Sequence, residues 1–259
     1  SEQFWAMAYD RGTHPYLTNK GLDSLHGARL IRSEDIHNNS DFFTELLGKS
    51  AVSHSRGSYL CVPARDITGR LWGIQRISEE GGKYFSSGMR TKGCFHLIGQ
   101  IDPKERVYVA EGFSTAASIH VATGGPVASS FNAGNLERVC RAIRERYGDA
   151  LQIVVAGDDD RSNSRNTGRE YAEKAARAVG AQVRFPQFTG NTGSDFNDLH
   201  ALEGLDAVRD SLAREPGAGE ETQPEEFVMP LGYAGEHYYF TSSSNPQINS
   251  FRELSETEL

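Results

Sequence analysis

Three groups of acidic residues stand where a parallel β-sheet would bring them together. Two of them, Glu111-Gly112 and Gly157-Asp158-Asp159-Asp160, directly follow short apolar runs, and the third, Asp195-Phe196-Asn197-Asp198, comes some ten residues after the run at 182–185. Because the carboxyl ends of parallel strands meet at one edge of a sheet, these carboxylates are predicted to share a site. Carboxylates that hold Mg²⁺ leave coordination positions open for phosphate oxygens, so the predicted chemistry is a metal-assisted reaction at a phosphate.

The spacing within the second group strengthens this prediction. Asp158 and Asp160 are two positions apart, so in extended backbone their side chains point to one side and Asp159 points to the other. Each group alone has a simpler explanation, because Glu-Gly is common in turns and aspartate caps helix N-termini. Three such groups at three strand ends favour a metal site over three separate caps.

The elements that must position these groups alternate along the chain from residue 106. Strands are predicted at 106–110, 126–128, 151–155 and 182–185, and helices at 115–123, 136–147 and 168–179. This order is typical of a parallel sheet covered by helices on both faces. At the turn before the second helix, Asn132 and Asn135 are expected to act as caps, with a role at a phosphate or metal as the alternative.

The first hundred residues do not show this alternation of strands and helices. Residues 1–50 are predicted to be mostly helical, with a helix over 41–47 that ends at Gly48. Short apolar runs between glycines and prolines over 57–77 predict an antiparallel meander, with a strand that stops at Pro63.

The net charge of −8 argues against a nucleic-acid ligand, but the charge is unevenly distributed. Residues 51–104 carry eight Lys and Arg against four acids, whereas 189–259 carry 14 acids against three Arg. A polyanion responds to local charge, so the basic segment is a candidate nucleic-acid surface, although an ordinary solvated surface would look the same.

Several other ligands and locations are not expected. Cys61, Cys94 and Cys140 are far apart, and neither they nor the histidines have the spacing of a zinc site, so no zinc is expected. No apolar run has the length of a membrane span and the first residues do not form a signal peptide, so a cytoplasmic protein without membrane contact is expected.

The segments around the acidic groups resemble a known family. Val109-Ala110-Glu111-Gly112-Phe113, Ala156-Gly157-Asp158-Asp159-Asp160 and Gly193-Ser194-Asp195-Phe196-Asn197-Asp198-Leu199 are similar to the signatures of a Toprim domain. That metal-binding fold is shared by DnaG-type primases, topoisomerases and some nucleases. Upstream, the segments 73–76, 83–88 and 92–99 resemble the basic subdomain before Toprim in primases. Residues 14–17 and 20–21 resemble the lead-in of phage and plasmid primases.

The resemblance implies a fold class and roles for particular residues. The fold would be α/β, a Toprim fold with a parallel sheet flanked by helices, preceded by a basic mixed α+β subdomain. The implied catalytic residues are Glu111, Asp158 and Asp160. The implied ligands of Mg²⁺ or Mn²⁺ are those three with Asp195 and Asn197. The implied contacts to template or nucleotide phosphates are Arg76, Lys83 and Lys92.

The chain departs from the family pattern in two places. Thr115 stands where many primases have an aspartate, so one carboxylate on the metal side is missing. The stretch 161–167 lengthens the usual connection from Asp-x-Asp to the next helix. The second departure is expected to change the approach to the site.

The expected organisation is a helical lead-in over 1–50, a basic subdomain over 51–104, a Toprim catalytic domain over 105–213, a linker over 214–226 and the start of a helicase-type domain over 227–259. The expected function is that of a DNA primase core from a phage, plasmid or other mobile element. Such a DNA-directed RNA polymerase makes short RNA primers on single-stranded DNA from nucleoside triphosphates, beside a helicase domain or partner. Two alternatives stay open: a Toprim nuclease or topoisomerase-like enzyme, and a non-catalytic DNA-binding replication module.

Overall fold

The computed structural model describes residues 2–86, 88–160, 166–190 and 192–214, and the backbone of three strands between 228 and 254. The chain divides into two units, residues 1–213 and 214–259. The first unit contains all three acidic groups.

The amino-terminal part of this unit is a four-stranded antiparallel sheet. Its strands, in spatial order, are β1 (Arg29–Arg32), β2 (Ser58–Arg65), β3 (Leu71–Ser78) and β4 (Lys83–Phe85). The helices of this part are α1 (Glu2–Met7), α2 (Pro15–Asn19), α3 (Ser33–Asn38), α4 (Ser40–Leu47) and α5 (Lys49–Ser53). The predicted meander and the helix ending at Gly48 are confirmed. The prediction that residues 1–50 are mostly helical misses β1, which is a strand only through its pairing with the distant β2.

The prediction that a strand stops at Pro63 is wrong, because β2 continues to Arg65. Proline lacks the N–H that a central strand would use. The neighbouring strand β1 begins with Arg29 opposite Cys61, so Pro63 lies beyond the region in which β2 is paired with β1. The missing N–H therefore removes no ladder hydrogen bond there.

The second sheet has five strands in the spatial order β5-β7-β6-β8-β9. They are β5 (His96–Ile98), β6 (Arg106–Ala110), β7 (Val127–Ser129), β8 (Gln152–Ala156) and β9 (Gln182–Arg184). Strands β6 to β9 are parallel, which confirms the predicted α/β sheet, and β5 adds an antiparallel edge. The sequence does not predict β5, because three residues are too few for a recognisable alternation.

Helices cover both faces of this sheet. They are α6 (Phe113–Thr123), α7 (Leu136–Tyr147), α8 (Thr167–Val179) and α9 (Phe196–Ala213). On one face, Tyr108 and Val154 share a core with Phe113 and Phe196 and with residues of the first sheet. On the other, Val109 joins a core formed with α7 and α8. Burial on both sides fixes the strands, and so fixes the position of the residues that follow them.

The second unit, 214–259, contains β10 (Val228–Ala234), β11 (His237–Ser242) and β12 (Phe251–Leu254), paired as an antiparallel sheet in that order. Apart from Arg214, the predicted linker over 214–226 lies outside the described residues. Among the described residues, no helix is both long enough and apolar enough to cross a membrane.

Candidate active site

Glu111 directly follows β6, in the short turn between the end of that strand and the start of α6. Its side chain accepts a hydrogen bond from the backbone N–H of Ala133. Burial raises the pKa of Glu111, Lys83 and that N–H oppose the rise, and the charges of Asp160 and Asp195 add to it. A raised pKa suits a group that must exchange a proton near neutral pH.

Asp158 lies at the centre of the acidic site. Burial raises its pKa to about 8, and the negative charges of Asp195, Glu111 and Asp160 contribute to that shift. Its Oδ1 atom is buried without a hydrogen-bond partner in the described part of the chain. Glu111, Asp158 and Asp195 all have raised pKa values, chiefly because of burial, and a divalent cation would stabilise their ionised forms.

These residues therefore fit Mg²⁺ or Mn²⁺ by charge and donor type. Their charges act on one another, but their side chains do not yet converge on one point. Within the described ranges, no three His, Cys, Asp or Glu side chains are close enough to hold one metal ion. If a cation is bound, its candidate ligands are Asp158 and the three carboxylates whose charges act on it, of which Asp195 has the largest effect, followed by Glu111 and Asp160.

Asp159 faces away from the other acids, as the alternation of an extended backbone predicts. Its side chain is 2 % exposed, and its Oδ1 accepts hydrogen bonds from Asn166 Nδ2 at 2.6 Å and Arg169 Nε at 3.1 Å. Its backbone N–H donates to the carbonyl oxygen of Ser194 at 2.7 Å. The loop that carries Asp158 and Asp160 is thereby fixed to α8 and to the loop before α9.

We expect Arg169→Met to lower the free energy of unfolding by about 1–2 kcal/mol, because Asp159 then keeps a buried charge with one partner fewer. The Arg169 side chain is 38 % exposed, so water replaces part of the lost bond and the cost stays modest. Urea denaturation measures the effect. Arg177→Met, on the exposed side of the same helix, is the control; an equal loss in both variants would contradict a special role for Arg169.

Glycine allows α8 to begin directly against Asp158. A Cβ atom at Gly168 would lie 2.9 Å from the carbonyl oxygen of Asp158 and 3.1 Å from its Cβ. Of the predicted long connection over 161–167, residues 161–165 lie outside the described residues. Thr115, the other departure from the family pattern, is 1 % exposed within α6.

Asp195 and Asn197 have different surroundings. Asp195 Oδ1 accepts hydrogen bonds from the backbone N–H groups of Asn197 at 2.7 Å and Asp198 at 2.8 Å, so it caps α9 while its charge acts on Asp158. Asn197 is 1 % exposed, and its Nδ2 donates to the Lys20 carbonyl oxygen at 2.8 Å and to Ser118 Oγ at 2.9 Å. The structure thus builds Asn197 into the packing of α2, α6 and α9 and does not bring its amide nitrogen to the carboxylates.

Of the three predicted nucleic-acid contacts, Lys83 is the one that faces the carboxylates. It is exposed at the start of β4, and its charge lowers the pKa values of Glu111 and Asp158. Lys92 is exposed in the loop between β4 and β5.

Arg76 lies on the opposite face of the first sheet. It is directly opposite Tyr84 in the β3–β4 pairing, one position from the pair that holds Lys83. Its side chain is 4 % exposed, and its guanidinium carbon lies 5.3 Å from the ring centre of Tyr59 and 5.9 Å from that of Tyr84. The structure therefore does not bring Arg76 together with Lys83 and the carboxylates.

A cleft of about 400 Å³ opens beside the carboxylates, and the sequence does not predict all of its lining. It is lined by Tyr16, Asn19, Lys20, Glu79, Glu80, Gly81, Lys83, Ser114 and Asp195. Lys20 joins the site here, because its charge lowers the pKa of Asp195. It lies far from the acidic groups in sequence, so no spacing could have singled it out.

Asn135 connects the loop before β5 to the loop after β7, which the sequence also does not predict. The expectation that Asn132 and Asn135 cap a helix is wrong, because neither side chain makes a cap hydrogen bond. Asn135 Nδ2 lies within hydrogen-bond distance of three carbonyl oxygens, those of Thr91 at 3.0 Å, Cys94 at 2.9 Å and Ser130 at 2.9 Å. Its Oδ1 accepts the N–H of Gly93 at 2.8 Å. Asn135 therefore holds the loop that carries Lys92 against the loop after β7.

Comparisons with known proteins agree with this geometry. Residues 106–206 match the family model described as "Toprim domain". One DNA primase TraC of Escherichia coli is 37 % identical over 158 residues, which cover 58 % of this chain and 11 % of that protein. A second is 36 % identical over 181 residues, which cover 67 % of this chain and 15 % of that protein. The chain thus spans only a small part of the length of these relatives.

Solved structures share the fold at low sequence identity. The primase fragment of the bacteriophage T7 primase-helicase protein superposes with a TM-score of 0.53 at 16 % identity, covering 79 % of this chain and 80 % of the fragment. A DnaG primase catalytic domain bound to single-stranded DNA gives a TM-score of 0.52 at 16 % identity, covering 81 % and 75 %. The resemblance predicted from the sequence is confirmed: residues 106–206 are a Toprim domain, in a chain that has the fold of DnaG-type primase domains and is a sequence relative of the TraC primases.

Proposed function

We propose that this chain is the catalytic core of a DNA primase, which joins ribonucleotides on a single-stranded DNA template. The observation that carries the proposal is the acidic site. Asp158 is buried among Glu111, Asp160 and Asp195, and Lys83 faces them from the first sheet. The similarity to TraC primases supports the same reaction.

The proposed chemistry is nucleotidyl transfer. The 3′-oxygen of one nucleotide forms a bond to the α-phosphorus of the next, and the bond from that phosphorus to the β-phosphate oxygen breaks, so pyrophosphate leaves. Mg²⁺ or Mn²⁺, when bound by Asp158, Asp160 and Asp195, offsets the charge of the triphosphate and of the attacking oxygen. Glu111, whose pKa is raised by burial, accepts the proton of the hydroxyl. Lys83 and Lys20 line the same cleft as Asp195 and provide positive charge there.

The proposal also assigns a role to each segment of the chain. Residues 51–104 are the basic subdomain, which contacts template or nucleotide phosphates through the exposed Lys83 and Lys92, and 105–213 are the catalytic domain; the buried Arg76 takes no part in these contacts. Residues 227–259 begin a helicase-type domain; the relative from bacteriophage T7 is a primase-helicase protein, which supports a helicase partner. The DnaG relative bound to single-stranded DNA supports that strand as the template.

Primer synthesis on single-stranded DNA with labelled ribonucleotides and Mg²⁺ or Mn²⁺ tests the proposal. We expect short RNA products from the wild type and none from Glu111→Gln. Glu105→Gln, an exposed glutamate at the other end of β6, is the matched control and should retain activity.

Other products would overturn the proposal in identifiable ways. Cleavage of the template by the wild type, without synthesis, would assign the site to a Toprim nuclease. DNA binding without turnover, unchanged in Glu111→Gln, would make the chain a non-catalytic replication module.

A further inference from the structure

Phe85 and Phe131 form an aromatic pair that has no part in the proposed nucleotidyl transfer. Their ring centres are 6.1 Å apart at an interplanar angle of 80°. Phe131 is 8 % exposed, whereas Phe85 remains 40 % exposed. The pair thus has one buried ring that supports one open ring.

The open ring lies on the carboxylate side of the first sheet. Alternate residues of a strand face the same way, so Phe85 shares a face of β4 with Lys83, which acts on Glu111. Tyr84, between them, faces the other side, where its ring contacts Tyr59 at 6.5 Å between centres. The short strand therefore presents a cation and an aromatic ring to the site and a second aromatic ring away from it.

The loop of Phe131 ties this ring to the catalytic carboxylates. Phe131 has a φ of +72°, a left-handed conformation that a bulky side chain rarely adopts. Two residues later, the N–H of Ala133 donates to Glu111. One loop thus holds the support of Phe85 and a partner of Glu111, and enforced strain of this kind is concentrated at ligand sites.

We propose that the Phe85 ring, supported by Phe131, is a stacking platform for an unpaired base of single-stranded DNA at the acidic site. Aromatic rings stack on any base, so an exposed ring binds a template without reading its sequence. Lys83 offers its positive charge to a phosphate of the same strand, and the surrounding segment over 51–104 has a net positive charge. The inference rests on the proposed function, because it takes single-stranded DNA as the template.

Fluorescence anisotropy with a labelled oligodeoxynucleotide tests the platform without requiring turnover. We expect Phe85→Leu to weaken binding at least about fivefold, because leucine packs against Phe131 but has no ring to stack on a base. Phe85→Trp should bind as tightly as the wild type. Tyr84→Leu is the matched control, since it removes a ring of similar exposure from the other face of the same strand, and it should bind as the wild type does. Thermal unfolding confirms that each variant is folded.

A second readout identifies the stacked base. An oligonucleotide with 2-aminopurine should lose fluorescence on binding to the wild type, and less so with Phe85→Leu. Binding by Phe85→Leu within about twofold of the wild type, or an equal loss in Tyr84→Leu, would overturn the platform. A higher KM for nucleoside triphosphates with unchanged DNA binding would also overturn it, because the base would then belong to the incoming nucleotide.

The outcomes separate this inference from the proposed function. If the wild type makes no primers and Phe85→Leu still weakens DNA binding, the primase proposal fails and the platform stands. If the wild type makes primers and Phe85→Leu binds DNA normally, only the platform fails.

Discussion

Asp158→Asn is expected to lower the rate of primer synthesis at least about a thousandfold, because the site loses the carboxylate that the other three surround. The same change should stabilise the fold when no divalent metal is present. Asparagine removes a buried negative charge from a group of four, so the free energy of unfolding at pH 8 should rise by at least about 1 kcal/mol. A single-turnover assay and thermal unfolding in EDTA measure the two effects.

The pH dependence of stability follows from the same carboxyl group. Its pKa is raised from 3.8 to about 8 in the folded protein. Between these values the folded protein holds a proton that the unfolded chain has released, so the free energy of unfolding falls as the pH rises through this window. A bound divalent cation favours the ionised carboxylate and opposes the loss.

The wild type in EDTA should therefore have a lower Tm at about pH 9 than at about pH 7.5, a window above the ordinary histidine pKa of 6.5, where the unfolded chain releases its histidine protons. Mg²⁺ or Mn²⁺ should raise the Tm most at the higher pH. Asp158→Asn should flatten the profile, whereas Glu145→Gln, an exposed acid on α7, should leave it unchanged. A wild-type Tm that is independent of pH and metal would show that the carboxylates do not form a shared cation site.

The acidic site is predictable from sequence because its position depends on local patterns. Glu111 and Asp158 each follow a buried strand, and parallel strands deliver the residues after them to one edge of the sheet. The alternation of Asp158, Asp159 and Asp160 predicts which side chain turns away, and Asp159 does so, toward Arg169.

What the sequence does not predict depends on pairing between distant segments. β1 is a strand only because β2 lies beside it, and Lys83 and Arg76 face opposite ways only because of the register between β3 and β4. Lys20 lines the cleft at the acidic site from the turn directly after α2, which precedes both sheets in the chain. Hydrophobic periodicity carries no information about such partners.

Asn135 is the strongest case of a residue whose importance lies in distant contacts, and Asn135→Ala is expected to cost about 3 kcal/mol of stability. The side chain is 3 % exposed and bonds to three carbonyl oxygens and one N–H. Alanine leaves these groups without the partner that joins the loop before β5 to the loop after β7. Urea denaturation measures the loss.

Asn135→Asp sharpens this prediction, because aspartate has nearly the same shape but no donor. It keeps an acceptor for the N–H of Gly93 and turns three attractive contacts with carbonyl oxygens into repulsive ones. Asn135→Asp should therefore destabilise the fold more than Asn135→Ala, whereas the exposed Asn132→Ala should change stability by less than about 0.5 kcal/mol. If Asn135→Asp were as stable as the wild type, the two loops would be held together by something other than this amide. The loop before β5 also carries Lys92. The Asn135 variants should therefore bind single-stranded DNA more weakly than the wild type.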